Sequence, residues 1–92
     1  MELRELKYFL AVVQQGSISG AAEYLYITQP SLSRQMQNLE NEVGGALFER
    51  GSRRITLTER GRLLKKRAEE MLELYEKTVA EVSAPASELA GE

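Results

Sequence analysis

The stretch TQPSLSR, residues 28–34, sets a hydroxyl, an amide and a proline ahead of two serines and an arginine. Thr28 has the side chain of a helix N-cap, and Pro30 fits the first helical turn, where its missing N–H would lack a partner anyway. Downstream, Leu32, Met36, Leu39 and Val43 recur at i, i+4, i+7 and i+11 before Gly44, which predicts a helix with one apolar stripe and a glycine stop. With that stripe turned inward, Gln29, Pro30, Ser33, Arg34 and Gln37 share the opposite face of the first turns. These side chains suit base edges. Arg can fork onto the acceptor edge of guanine, Gln can pair twice with adenine, and Pro and Ser let a helix sit deep or touch a thymine methyl. Thr28, Ser31 and the helix N-terminus suit phosphate oxygens. A capped helix with a merely solvated face would use the same residue types, so the flanking segments decide.

Upstream, residues 2–15 carry Leu3, Leu6, Phe9, Leu10 and Val13 at helical spacing, and Gly16 is a natural stop. Ser17 or Ser19 can cap a short second helix whose inward stripe is Ile18, Ala21, Ala22 and Leu25, the alanines permitting close approach of another helix. About three residues then lead to the helix that starts after Thr28, the order of a helix-turn-helix. Downstream, LFER (47–50) and ITLT (55–58) are short β-prone runs separated by Gly51, Ser52, Arg53 and Arg54, which reads as a hairpin. A hairpin that follows a helix-turn-helix is a wing, and its tip arginines can reach the adjacent minor groove.

Charge supports this reading once it is located. The net charge is −2, yet residues 1–67 hold eleven Lys/Arg against seven Glu, a balance of +4, while residues 68–92 hold one Lys against seven Glu, a balance of −6. The acidity sits in the tail, so the whole-chain charge says nothing against a local basic footprint, which is what matters for phosphate binding. With no cysteine and no histidine among 92 residues, disulfide frameworks, the usual zinc sites and His- or Cys-dependent nucleophiles are excluded. No catalytic residue, metal site or cofactor is therefore expected; Glu40 and Glu42 are paired carboxylates on polar helix faces. No run approaches the roughly 20 apolar residues of a membrane span. The N-terminal MELRELKYFLAVV is amphipathic with interior charges, unlike a signal peptide, so the expected compartment is the cytoplasm.

Thr58 is a second N-cap candidate, and residues 59–82 contain one glycine and no proline, a helix of roughly 36 Å at ~1.5 Å per residue. Leu57, Gly61, Leu64, Ala68, Met71, Tyr75, Thr78 and Val82 alternate by four and three, the seam of a coiled coil. The seam predicts dimerisation through Leu64, Ala68, Met71, Tyr75, Thr78 and Val82. Arg60, Arg62, Lys65, Lys66 and Arg67 crowd the first half, and Glu69, Glu70, Glu73, Glu76 and Glu81 the second. An antiparallel partner would match the two, and local Lys65/Glu69 and Lys66/Glu70 pairs would offset part of the imbalance. Residues 83–92, SAPASELAGE, have the composition of a hinge or frayed tail.

TQPSLSRQMQNLENEVG, LFER and LTERG together resemble the N-terminal winged helix-turn-helix of LysR-type bacterial transcriptional regulators, over residues 1 to about 82. The resemblance implies base contacts by Gln29, Pro30, Ser33 and Arg34, a wing arginine at Arg53 with Arg54 beside it, and supporting contacts from Ser17, Thr28, Ser31 and Gln37. It also implies a homodimer on an interrupted inverted repeat of double-stranded DNA. A small-molecule effector would act only in a longer protein, because the family's C-terminal effector domain of about 200 residues has no counterpart in this chain. Tyr26, at the turn before Thr28, is larger than the family pattern leads one to expect, Gly44-Gly45-Ala46 is more flexible, and Gly51-Ser52 alters the approach to the wing tip. The expected organisation is mainly α: a winged helix-turn-helix (three-helix core plus two-stranded wing) at 1–58, a linker and dimerisation helix at 59–82, and a hinge or tail at 83–92. The rival expectation is a coiled-coil protein-interaction module whose winged domain docks on a protein. Steep loss of affinity with salt would mark phosphate contacts and separate the two.

Overall fold

A computed structural model of the chain describes residues 1–49, 51 and 53–87. Four helices follow one another: α1 (Leu3–Gln15), α2 (Ile18–Leu25), α3 (Gln29–Val43) and α4 (Glu59–Val82). Local chemistry accounts for each boundary. Glu2 and Glu5 form a capping box at the start of α1, and Gly16, in the left-handed region at φ 79°, ends it. Ser17 rather than Ser19 caps α2, the Gly20 N–H donating to its Oγ at 2.9 Å. Thr28 and Thr58 do the same for α3 and α4, accepting from the Ser31 and Gly61 N–H groups at 3.2 and 3.0 Å. α3 ends at Gly44, φ 82°.

The apolar stripes of α1, α2 and α3 meet in one core. Phe9, Val12, Ala21, Leu32 and Leu39 are fully excluded from solvent, and Leu47 joins them from the segment after α3. Ala21 and Ala22 are buried between α2 and its neighbours, the close approach their small side chains allow. This core fixes α3 as a rigid rod with one face inward. Burying an aliphatic or aromatic side chain is worth roughly 1.5–3 kcal/mol, so the dozen buried apolar residues supply most of what holds α3 in place.

Two expectations need correction. The two-stranded wing is absent as such: among the described residues the hairpin is reduced to one antiparallel bridge, Phe48 to Leu57. Backbone bonds from Glu49 N–H to the Thr56 carbonyl (2.8 Å) and from Thr58 N–H to the Leu47 carbonyl (3.0 Å) flank it. Other backbone donors of the two runs are held from outside the hairpin. Ile55 N–H donates to the Gly16 carbonyl at 2.9 Å, and the Leu47 and Phe48 N–H groups donate to the Glu40 side chain. Arg50 and Ser52, assigned to the hairpin, lie outside the described residues, as do residues 88–92 of the expected tail.

The second correction concerns α4. Leu64 and Ala68 are buried in the chain's own core, Ala68 completely, as α4 packs on α1, and Gly61 is buried beside the Leu47 carbonyl. Leu64 and Ala68 are therefore not an outer seam open to a partner, and Leu57 precedes the helix and packs in the bridge. Past Leu72, which packs on the core, every residue up to Val82 is exposed. The molecule measures 55 × 27 × 19 Å, and the last three turns of α4 account for the elongation. Lys65 pairs with Glu69 at 3.2 Å as expected, whereas Glu70 takes Arg67 at 2.8 Å in place of Lys66.

Candidate nucleic-acid interface

Because α3 buries Leu32, Met36 and Leu39, its other face is presented to solvent: Gln29, Pro30, Ser33, Arg34 and Gln37 are all exposed. They occupy the first two and a half turns, next to the helix N-terminus. Arg34 has no ion pair among the described residues, which leaves its planar fork of donors unengaged. Gln37 donates from Nε2 to Asn41 Oδ1 at 3.2 Å, so its amide is steered along the helix toward the C-terminus. Thr28 accepts the Ser31 N–H and retains its own hydroxyl proton for an acceptor outside the chain. Ser31 is half-buried, on the flank of α3.

The segment between α3 and α4 is folded back against both. Glu40, near the end of α3, accepts the Leu47 N–H at 2.7 Å and the Phe48 N–H at 3.4 Å. The Phe48 ring sits 5.6 Å from that of Phe9, so α1 grips the same segment from behind. Arg60, in the first turn of α4, donates from Nη1 to the Val43 carbonyl at 3.0 Å, and the Thr58 hydroxyl donates to the Ala46 carbonyl at 2.8 Å. Gly45 is where this becomes possible: a Cβ there would collide with the Arg60 guanidinium. The Gly44-Gly45 pair thus leaves room for a strut and is not loose chain. Glu40, Arg60 and Gly45 were not singled out as site residues, since their contacts cross a turn and no local pattern announces them.

The hairpin arginines diverge. Both are exposed, but the Arg54 guanidinium lies over Gly16, with Nη2 3.2 Å from where a Cβ on that glycine would stand. Arg54 therefore flanks the α1–α2 turn, beside the half-buried Ser17 cap. An open groove of about 330 Å³ separates α3 from the segment after it, lined by Ser33, Gln37, Glu40, Phe48 and Ile55. No group of three or more His, Cys, Asp or Glu that could hold a metal occurs among the described residues. No helix among them is long and apolar enough to cross a membrane.

A capped helix with an exposed polar face, packed by its back onto a shorter helix across a tight turn, defines a helix-turn-helix module. The family model described as bacterial regulatory helix-turn-helix protein, lysR family, matches residues 3–62, and the chain belongs to that family. It is 42% identical over 92 residues to the HTH-type transcriptional regulator BsdA of Bacillus subtilis (strain 168), covering 99% of this chain and 32% of that protein. It is 57% identical over 61 residues to the HTH-type transcriptional regulator BenM of Acinetobacter baylyi, covering 66% of this chain and 20% of that protein. Among solved structures, the BenM DBD/benA site 1 DNA complex superposes with a TM-score of 0.84 at 48% identity, over 87% of this chain and 90% of that one. The CbnR DBD–DNA complex does so with a TM-score of 0.83 at 39% identity, over the whole of both chains. This chain spans a third or less of the BsdA and BenM proteins. The rival expectation of a protein-interaction module finds no support in these relatives.

Proposed function

We propose that this chain is the sequence-specific DNA-binding part of a LysR-type regulator. It sets α3 in the major groove of double-stranded DNA and binds an interrupted inverted repeat as a dimer. The observation that carries the reading is the face of α3: Gln29, Pro30, Ser33 and Arg34 exposed together at the helix N-terminus while the opposite face is locked in the core. Those four side chains read base edges. Ser17, Thr28, Ser31 and Gln37 hold sugar-phosphate, or support the groups that do. The segment 47–58 serves as the wing, with Arg53 in the minor groove and Arg54 at the backbone near the start of α2.

Dimerisation is assigned to the overhanging half of α4. Met71, Tyr75, Thr78 and Val82 continue the line of Leu64 and Ala68 at helical spacing, and Leu74 and Val79 widen it. Leu74, Tyr75, Val79 and Val82 are 63%, 46%, 47% and 69% exposed, an apolar strip that no other described residue covers. The acidic second half of the helix favours an antiparallel partner that brings its basic first half alongside. The organisation that follows is a DNA-binding unit at 1–58, a linker and dimerisation helix at 59–82, and a hinge from 83. The protein works in the cytoplasm, regulates transcription, and has no catalytic role. A small-molecule effector belongs to a longer protein. Selection of bound sites from random duplexes tests the reading: two half-sites of inverted symmetry one helical turn apart are expected. Recovery of no shared sequence, with equal affinity for all duplexes, would overturn it.

A further inference from the structure

We propose that Glu40 is a specificity-determining positioning residue: through the ribbon it holds, it fixes the wing arginine Arg53 against the base-reading face of α3. The inference rests on the DNA-binding reading above and goes beyond it, since Glu40 itself touches no base. On α3, positions 29, 33, 37 and 40 follow one another by four, four and three, so Glu40 closes the stripe that Gln29 and Ser33 begin. A carboxylate in that stripe would repel phosphate if it faced outward. Instead Oε2 accepts two consecutive backbone N–H groups, Leu47 at 2.7 Å and Phe48 at 3.4 Å, and the side chain is half-buried.

Those two residues are the root of the wing. Leu47 is wholly excluded from solvent, and Phe48 forms the bridge with Leu57 that joins the two runs. With one bridge among the described residues, the ribbon has little stiffness of its own, and two successive N–H groups at its root are held by the reading helix. A carboxylate accepting N–H groups makes charge-assisted bonds, roughly twice as strong as neutral ones. Movement of the wing root therefore has to break contacts with α3. Both ends of this latch, Glu40 and Phe48, line the groove of about 330 Å³ that has Ser33 and Gln37 on one side and Ile55 on the other. Base reading by α3 and groove-width sensing by Arg53 thus act as one rigid gauge.

The test is a double-mutant cycle on a duplex with A·T-rich flanks, using Glu40→Ala, Arg53→Ala and the double variant, with Arg34→Ala made in both backgrounds. Circular dichroism and a cooperative melt confirm that each variant is folded. In the wild-type background, Arg53→Ala should lose several-fold in affinity. In the Glu40→Ala background the same change should cost clearly less, the Ile55 N–H bond to the Gly16 carbonyl being the anchor that remains, while Arg34→Ala still loses roughly tenfold to a hundredfold in both. Glu40→Gln, which keeps one oxygen acceptor in place, should restore most of the Arg53 effect. Should Glu40→Ala fail to fold, Glu40→Met, which fills the side chain's space without an oxygen acceptor for the Leu47 and Phe48 N–H groups, takes its place in the cycle. The proposal is overturned if Arg53→Ala costs the same with and without Glu40, or costs nothing in the wild type. Loss of the Arg34 effect in both backgrounds would instead sink the DNA-reading assignment of α3.

Discussion

Gly61→Ala should destabilise the chain, although alanine is the better helix former. Gly61 is the third residue of α4 and is buried where the helix crosses the wing root. A Cβ there would run into the Leu47 backbone carbonyl and stand 3.0 Å from Leu57 Cδ2. Leu47 cannot yield, because its side chain is wholly buried and its N–H is held by Glu40. The helix must therefore retreat, on the order of 1 Å to regain ordinary contact. The retreat strains the Thr58 N–H bond to the Leu47 carbonyl (3.0 Å) and the Thr58 hydroxyl bond to the Ala46 carbonyl (2.8 Å). Removing glycine gains up to about 1 kcal/mol in helix propensity. Overpacking costs about 1–3 kcal/mol, and each weakened bond up to about 1 kcal/mol more. The net loss is about 1–3 kcal/mol, a fall in melting temperature of about 5–20 °C for a chain of this size. Urea unfolding followed by circular dichroism should show the midpoint fall with an unchanged slope. A Gly61→Ala chain as stable as the parent would refute the seating of α4 on the wing root.

Other expectations are shorter. Arg34→Ala or Gln29→Ala should cost about 1–3 kcal/mol on the selected site and flatten preference at one position per half-site; equal losses on random duplexes would reduce both to phosphate contacts. Met71→Glu places a charge in the overhanging strip of α4 and should give a folded monomer by sedimentation, with affinity for an inverted repeat falling toward that of one half-site, a factor of about 10² to 10⁴. A dimer that persisted and bound the full repeat normally would refute the strip as the interface. The Met1 amino group donates to Glu42 Oε2 at 2.7 Å, and this hydrogen bond, aided by the charges of Glu42, Glu5 and Glu2 against partial desolvation, raises its pKa above the ordinary 8.0. A raised value means that the contact stabilises the fold fully below pH 8 and is lost as pH rises through the shifted value, so Glu42→Gln should return the amine's NMR titration toward 8.0.

What the sequence made legible was what is local. The four helices, the threonine caps and the glycine stops are written in neighbouring residues, because a cap or an αL stop is decided within a turn of chain. The exposed face of α3 was equally legible, since a periodic apolar stripe determines its own opposite. The wing was not. Leu47 and Phe48 have β-prone side chains, but whether their N–H groups meet a strand or a carboxylate seven residues back depends on the turn at Gly44-Gly45. Arg54 likewise has the residue type of a projecting tip and lies instead on Gly16. Such contacts are set by how finished elements pack, and no short-range pattern encodes them.

α4 shows where periodicity itself runs out. A four-three repeat states that a helix has one apolar face; it does not state whose surface covers it. The eight seam positions are continuous in sequence, yet the core of one chain extends only about as far as Leu72, and α4 continues for ten residues beyond it. The first half of the repeat is therefore satisfied at home and the second is not. This division has a mechanical consequence. The part of α4 assigned to a partner is one rigid rod with the part that carries Gly61, Arg60 and the Thr58 cap, and these are fastened to the wing root and to the end of α3. A change in crossing angle between paired α4 helices would be delivered, without an intervening hinge, to the spacing of two reading heads. Arg60→Ala or Gly45→Ala, which remove or displace the strut to Val43, should thus leave binding to a single half-site near normal. Each should broaden the half-site spacing recovered by selection from random duplexes. A spacing distribution as sharp as the parent's would show that the strut does not transmit the angle.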